Sequence, residues 1–252
     1  MKLTRRQWIL LGLGGVPALA AADAFLVEPG WVRLKTVRLG EKPSLRVVHF
    51  TDLHYKGGES ALRSLVGRIN ALKPDLVCFT GDLAEDRDFA KAAAEILRGI
   101  GAPLFGVPGN HERWAGADFG TLERCFAATG GAWLADREAP ALGGRVRIVG
   151  IGEKPERAEP RPGAANIALV HYPAWVDRLP PRKFDLILAG HSHGGQVRLP
   201  LVGPLHMTYD VGRCDLGLYD TPAGPLYVGA GVGWYFLRVR FFCRPEIALI
   251  EL

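Results

Sequence analysis

Five short stretches of this chain hold side chains suited to binding cations. "DLH" supplies Asp52 and His54, "GD" supplies Asp82, and "GNHE" supplies Asn110 and His111. "VHY" adds His171, and "GHSH" adds His191 and His193. Carboxylates, amides and imidazoles together form mixed oxygen and nitrogen donor sets, which suit divalent manganese, iron or zinc. Each stretch alone also has an ordinary explanation. Asp52 could cap a turn, Gly81-Asp82 and Gly109-Asn110 are common turn pairs, and His171 could be a hydrogen-bonded core histidine. The set is harder to dismiss than its members. Five of the seven histidines follow apolar runs that read as strands, and only His49 and His206 do not.

The elements that would position these residues are legible as alternating patterns. Runs 45–51, 74–80 and 103–108 read as strands, separated by helical stretches 59–73 and 88–100, with a short helix near 118–128. This βαβαβ order implies a parallel sheet with helical cover, and ligands of such sheets gather at the carboxyl ends of the strands. Runs 145–152, 166–172, 184–190 and 225–231 follow with fewer helices between them, then "LRVRFF" and "EIALIEL" as a final pair of strands. A second sheet packed on the first is expected. Residues 153–163 read as a charged, proline-rich loop. In a regular strand His191 and His193 would point the same way and crowd one cation. Gly190, Gly194 and Gly195 are expected to free the backbone so that the two rings diverge.

The motif order resembles the calcineurin-like metallophosphoesterase superfamily: D-x-H, G-D, G-N-H-(D/E), a lone His and G-H-x-H, all present between residues 45 and 196. The C-terminal stretch and "EPGW" (28–31) further resemble a branch of bacterial exported or membrane-anchored phosphoesterases with an N-terminal arginine pair. The segment after the lone His, "HYPAW", departs from the acidic residue that relatives often carry there. The resemblance implies a four-layer αββα sandwich of two packed mixed sheets flanked by helices, and two divalent metal ions. By position, Asp52, His54, Asp82 and His193 would hold one ion. Asp82, Asn110, His171 and His191 would hold the other, with Asp82 bridging. A metal-bridging hydroxide would attack phosphorus in line, and His111 would stabilise the transition state or protonate the leaving oxygen.

Composition narrows the setting. Of the net charge of +5, three charges fall on Lys2, Arg5 and Arg6, so the rest of the chain has no basic stripe and no dedicated nucleic-acid partner is expected. "TRRQWIL" followed by an apolar run and "ALAAAD" reads as a twin-arginine export signal. The alternative is an uncleaved anchor over residues 7–27. Residues 1–27 are thus set apart from a catalytic domain over 28–252, expected outside the cytoplasm on the positive-inside rule. Cys78, Cys125, Cys214 and Cys243 form no CxxC pair. A Cys214–Cys243 bridge stays open.

The expected activity is hydrolysis of a phosphodiester or pyrophosphate of the cell envelope, by a protein acting as a monomer. Two alternatives stand beside it: a UDP-diacylglucosamine-type pyrophosphatase, and a non-catalytic metal-binding module on the same fold. Candidate substrate contacts are Lys56, Arg113, Trp114, Tyr172 and Trp234, with Tyr55, Glu112 and Arg213 as further candidates around the site. Trp114, Trp234, Tyr235 and Phe236 could form an apolar lip against a lipid or membrane surface.

Overall fold

The computed structural model describes residues 4–181 and 183–252; Lys2 lies outside them, and so do the side chains of residues 6–13, Arg6 among them. Helix α1 (Arg5–Ala22) opens the chain and runs into tight turns as far as Gly30. Among the described residues no helix is long and apolar enough to cross a membrane.

The first sheet begins with β1 (Arg33–Arg38) and β2 (Arg46–Phe50), followed by α2 (Glu59–Ala71) and β3 (Leu76–Phe79). Next come α3 (Arg87–Leu97), β4 (Leu104–Gly106), the short α4 (Asn110–Trp114), α5 (Phe119–Ala127) and β5 (Ala132–Trp133). Strands β2 to β5 lie parallel and in order. Alternation along them sorts the side chains. Val48, Phe50, Val77 and Phe79 pack against the helices, while Val47, Leu76 and Cys78 face the second sheet. Helix α2 meets this face with Leu62, Leu65, Val66 and Ile69. Asp86 and Asp118 cap α3 and α5 by accepting from backbone amides.

The second sheet holds β6 (Arg137–Ala141), β7 (Val146–Gly150), β8 (Ala165–Leu169) and β9 (Leu186–Ala189). A small hairpin follows, β10 (Arg198–Leu199) with β11 (Gly203–Pro204), then β12 (Gly217–Thr221) and β13 (Gly224–Val228). Its order is β12-β13-β9-β8-β7-β6, antiparallel only at the two ends. The last strand, β14 (Glu246–Glu251), returns to the first sheet, parallel to β1 and antiparallel to β2. Ile148, Ile167, Leu186 and Leu188 fill the space between the sheets. Ile187, Ala189, Leu226 and Val228 point outward under Val176 and Phe184. The fold is therefore mixed α/β, two packed mixed sheets flanked by helices. The layer over the second sheet is thin, built on short 3-10 turns such as Pro155–Arg157 and Pro173–Arg178.

One expectation about the strands needs correcting. "LRVRFF" joins no sheet and makes one isolated bridge, Val197 with Phe241. The reason is Arg240, wholly buried, whose guanidinium donates to the carbonyls of His193 (3.1 Å), Ala230 (2.7 Å) and Cys243 (3.3 Å). A regular ladder would deny the guanidinium that cage of carbonyls. Cys214 and Cys243 are separate buried thiols, as are Cys78 and Cys125.

Candidate metal centre

Loops after β2, β3, β4, β8 and β9 bring Asp52, His54, Asp82, Asn110, His171, His191 and His193 to one edge of the double sheet, all nearly excluded from solvent. Five of them are L residues in the left-handed region: Asp52 (φ 50), His54 (φ 42), Asp82 (φ 60), His191 (φ 65) and His193 (φ 49). Such conformations each cost about 1–3 kcal/mol and persist where the surroundings enforce them. Two consecutive turns in the "GHSH" loop, at His191 and His193 themselves, send the rings apart. Gly194 and Gly195 are also left-handed (φ 59 and 79), but Gly190 is not. Gly190 is needed for closeness instead: a Cβ there would overlap the Thr51 hydroxyl and stand 2.7 Å from Asp52 Oδ2.

Among the described residues the donor atoms of the expected ligands gather in two groups, Asp52–His54–His193 and Asp82–His171–His191, each with its atoms within 4.8 Å of one another, and a third such group, His54–Glu85–His111, adjoins them. Asp82 Oδ2 lies 3.5 Å from His54 Nε2 and 3.4 Å from His171 Nε2, between the groups. Asn110 Oδ1 is 3.1 Å from His171 Nε2. His191 Nδ1 approaches the same nitrogen at 3.1 Å, and His54 Nε2 approaches His193 Nε2 at 3.0 Å.

Outward hydrogen bonds decide which nitrogen faces in. His54 Nδ1 donates to Glu85 (2.8 Å), His171 Nδ1 to the Thr80 carbonyl (2.7 Å), and His191 Nε2 to the Tyr209 carbonyl (2.9 Å). Each bond spends the neutral ring's proton outside and leaves a lone pair inside. His193 is different, because Arg240 Nη2 sits 3.4 Å from its Nδ1. Inward lone pairs and carboxylate oxygens at such separations repel unless a cation or a proton lies between them. The donor set therefore fits divalent ions of the manganese, iron or zinc type.

The charges are arranged to match. Burial, helped by Asp82, pushes the Asp52 carboxyl up to about 7. Burial acts in the same direction on Asp82, but His171 and His54 outweigh it and hold that carboxyl low. Burial opposes charge on His171, and Asp82 and Asp52 overcome it, raising the imidazole to about 9. Burial and the neighbouring His171 carry His191 down to about 3. These protons are the ones a bound divalent ion would displace.

His111 stands beside the two groups and is half-buried. Its Nδ1 is 3.0 Å from Glu85, its amide donates to Asp82 Oδ1 (2.9 Å), and Trp114 lies over its ring. Burial disfavours its charge, but Glu85 and Asp82 outweigh that and raise its pKa. Glu85 is the residue that sequence reasoning missed. It also pairs with Lys56 at 3.0 Å, so one carboxylate ties together His54, Lys56 and His111. The signal was available: β2 and β3 are parallel neighbours, and Tyr55 bridges Ala84, so residues just past Asp82 must lie beside His54. Glu112 turns inward and accepts the amides of Asp82 and Gly109, fixing two loops.

A cavity of about 200 Å³ opens over the centre, with Trp114, Tyr209 and Tyr235 among its walls. Tyr172 packs edge-on against His171 and His191. Arg113 and Arg213 instead form surface pairs with Glu153 (2.8 Å) and Asp177 (3.4 Å). Lys56 and Trp234 adjoin each other, the ammonium 5.2 Å from the ring centroid, while Phe236 is exposed.

Metal-dependent phosphoester hydrolases are the class of protein built in this way. Residues 45–195 match the calcineurin-like phosphoesterase family, and the chain belongs to it. It is 30% identical over 245 residues to phosphodiesterase YaeI of Escherichia coli (strain K12), spanning 89% of this chain and 90% of that one. It is 28% identical over 285 residues to the uncharacterized metallophosphoesterase YkuE of Bacillus subtilis (strain 168), covering 100% and 98%. A further relative, 24% identical over 308 residues and covering 93% of both chains, is the UDP-2,3-diacylglucosamine pyrophosphatase LpxG of Chlamydia trachomatis serovar D.

Proposed function

We propose that this metal-dependent hydrolase cleaves a phosphodiester or pyrophosphate bond of a cell-envelope substrate. Asp52, His54, Asp82 and His193 hold one divalent ion; Asp82, Asn110, His171 and His191 hold a second. The observation that carries this reading is the position of Asp82 Oδ2 between His54 and His171, with the ring protons of His54, His171 and His191 spent outward. Two such ions, when bound, polarise a phosphoryl oxygen and make water a competent nucleophile near neutral pH.

The chain supplies the rest. Asp82 also accepts the His111 amide, so the residue between the two donor groups fixes the neighbouring loop. His111, its Nδ1 held by Glu85, keeps Nε2 for the leaving-group oxygen and delivers a proton there. Trp114, Tyr209 and Tyr235 restrict water around that transfer. The test is hydrolysis of bis(p-nitrophenyl) phosphate by manganese-reconstituted protein. Wild type should turn over, while Asp82→Ala and His111→Ala should lose most activity. An inactive wild type, or undiminished variants, would overturn the assignment.

The similarity to LpxG favours a second substrate reading, a UDP-diacylglucosamine-type pyrophosphatase. Residues 1–27 serve as an export signal or anchor, placing a monomeric domain outside the cytoplasm. What supports this is the arginine pair before the apolar run. Protease accessibility in intact spheroplasts separates the two readings, because the pyrophosphatase needs a cytoplasm-facing site.

A further inference from the structure

A second cavity, of about 510 Å³, lies beside the metal centre with His54 in the wall of both. The two are divided by one turn of chain: Tyr235 faces the metal centre, and Trp234 faces the second cavity. Its other walls are largely apolar, with Leu53, Leu62, Leu65, Val232 and Pro29 among them, and Ser64 and Arg68 add polar groups on the side of α2. Leu62 and Leu65 belong to the core, while Ala61 and Ser64, on the same helix and also lining the cavity, are exposed. Its volume is in the range of small-molecule sites, about 300–1,000 Å³.

Cations gather at one part of this wall. Lys56 and Arg238 lie 5.2 and 5.5 Å from the Trp234 ring centroid, and Lys56 also donates to the Trp234 carbonyl (2.8 Å). Arg238 in turn donates to the Phe25 carbonyl (3.1 Å), within a stretch where Phe25, Leu26 and Val27 are exposed. An apolar chamber with cations on its wall and a phosphoesterase centre next door suits one kind of molecule: an aliphatic chain ending in a phosphate.

We propose that this cavity is a tail subsite, and that the substrate is an amphiphilic phosphate ester whose alkyl or acyl chain lies between Leu53, Leu65 and Trp234 while its phosphate reaches the metal centre. The inference rests on the phosphoesterase reading above for the destination of the phosphate. The chain is held by burial of its methylenes, and Lys56, which shares Glu85 with His54, lines the cavity beside the metal centre.

The experiment uses full-length, manganese-reconstituted protein and titrates n-alkylphosphonates from methyl to octyl by calorimetry, with hydrolysis of bis(p-nitrophenyl) phosphate followed in parallel. Binding should tighten by up to about fourfold per methylene until the cavity is filled. Ala61→Trp and Ser64→Trp, on exposed positions of α2 that line the cavity, should flatten this dependence by occupying it. Affinity independent of chain length in wild type, or an equal dependence in both variants, overturns the tail subsite. Chain-length-dependent binding without hydrolysis would preserve the subsite and reject the phosphodiesterase. Hydrolysis without the dependence would do the reverse.

Discussion

Replacing Gly190 by alanine tests whether the centre depends on close backbone approach. The added methyl would overlap the Thr51 hydroxyl and stand 2.7 Å from Asp52 Oδ2, in a loop whose His191 amide already bonds both Asp52 oxygens (2.9 and 3.0 Å). Overpacking of this kind costs about 1–3 kcal/mol, and two close contacts with buried groups place Gly190→Ala near the top of that range. For a chain of this size about 3 kcal/mol corresponds to a fall in Tm of roughly 6–12 °C. Asp52 must also move, so manganese content should fall toward one ion per chain. Thr51→Ala removes the worst contact and leaves those with Asp52 Oδ2 and the Cβ of residue 51 (3.0 Å). In that background the same Gly190→Ala change should cost only about 1 kcal/mol, a coupling of roughly 2 kcal/mol in a double-mutant cycle. Metal should stay low in the double variant. Differential scanning calorimetry and elemental analysis read the two effects separately. Strict additivity, or a Gly190→Ala protein with wild-type Tm and two ions, would refute the steric argument.

Other expectations follow from the same geometry. Glu85→Gln weakens charge-assisted hydrogen bonds to His54 and His111, each worth about 1.5–3 kcal/mol before screening at this partly exposed residue. Its kcat on bis(p-nitrophenyl) phosphate should fall roughly 10- to 100-fold in steady-state assays, and unchanged kcat would remove Glu85 from the site. His49 is buried and lowered to about 3, so its contribution to stability is complete above its unfolded pKa near 6.5 and is lost as the pH falls toward 3. His49→Gln should therefore gain on wild type by up to about 1.4 kcal/mol per pH unit below pH 6.5, measured by urea unfolding of metal-saturated protein. All four cysteines are free and buried, so denatured protein without reductant should titrate as four thiols with Ellman's reagent, while native protein reacts slowly. A count of two would restore the Cys214–Cys243 bridge.

Much of the centre was readable because its residues follow strands, and a parallel sheet sends those strand ends to one edge. The helices were readable because Leu62, Leu65, Val66 and Ile69 keep helical spacing. What escaped depended on neighbours distant in sequence. Glu85 looks like an ordinary loop acid until β2 and β3 are set side by side. The strand β1 has an exposed middle, Leu34, Lys35 and Thr36, and its partner is over two hundred residues away, so no local alternation announces it. In "LRVRFF" the alternation was present but misleading, since Arg240 is buried among carbonyls rather than turned to water. The left-handed backbone at Asp52, His54 and Asp82 is invisible to composition, because those residue types accept it only under tertiary constraint.

The placement of β14 has a consequence for how the molecule is made. This strand fills the gap between β1 and β2, pairing Ala248 with His49 and Ile247 with Leu34. Until synthesis reaches it, the strand leading to Asp52 has an open edge able to recruit another chain. Contacts of such long separation also form late. Deleting β14 should thus yield aggregates rather than a slightly weakened enzyme.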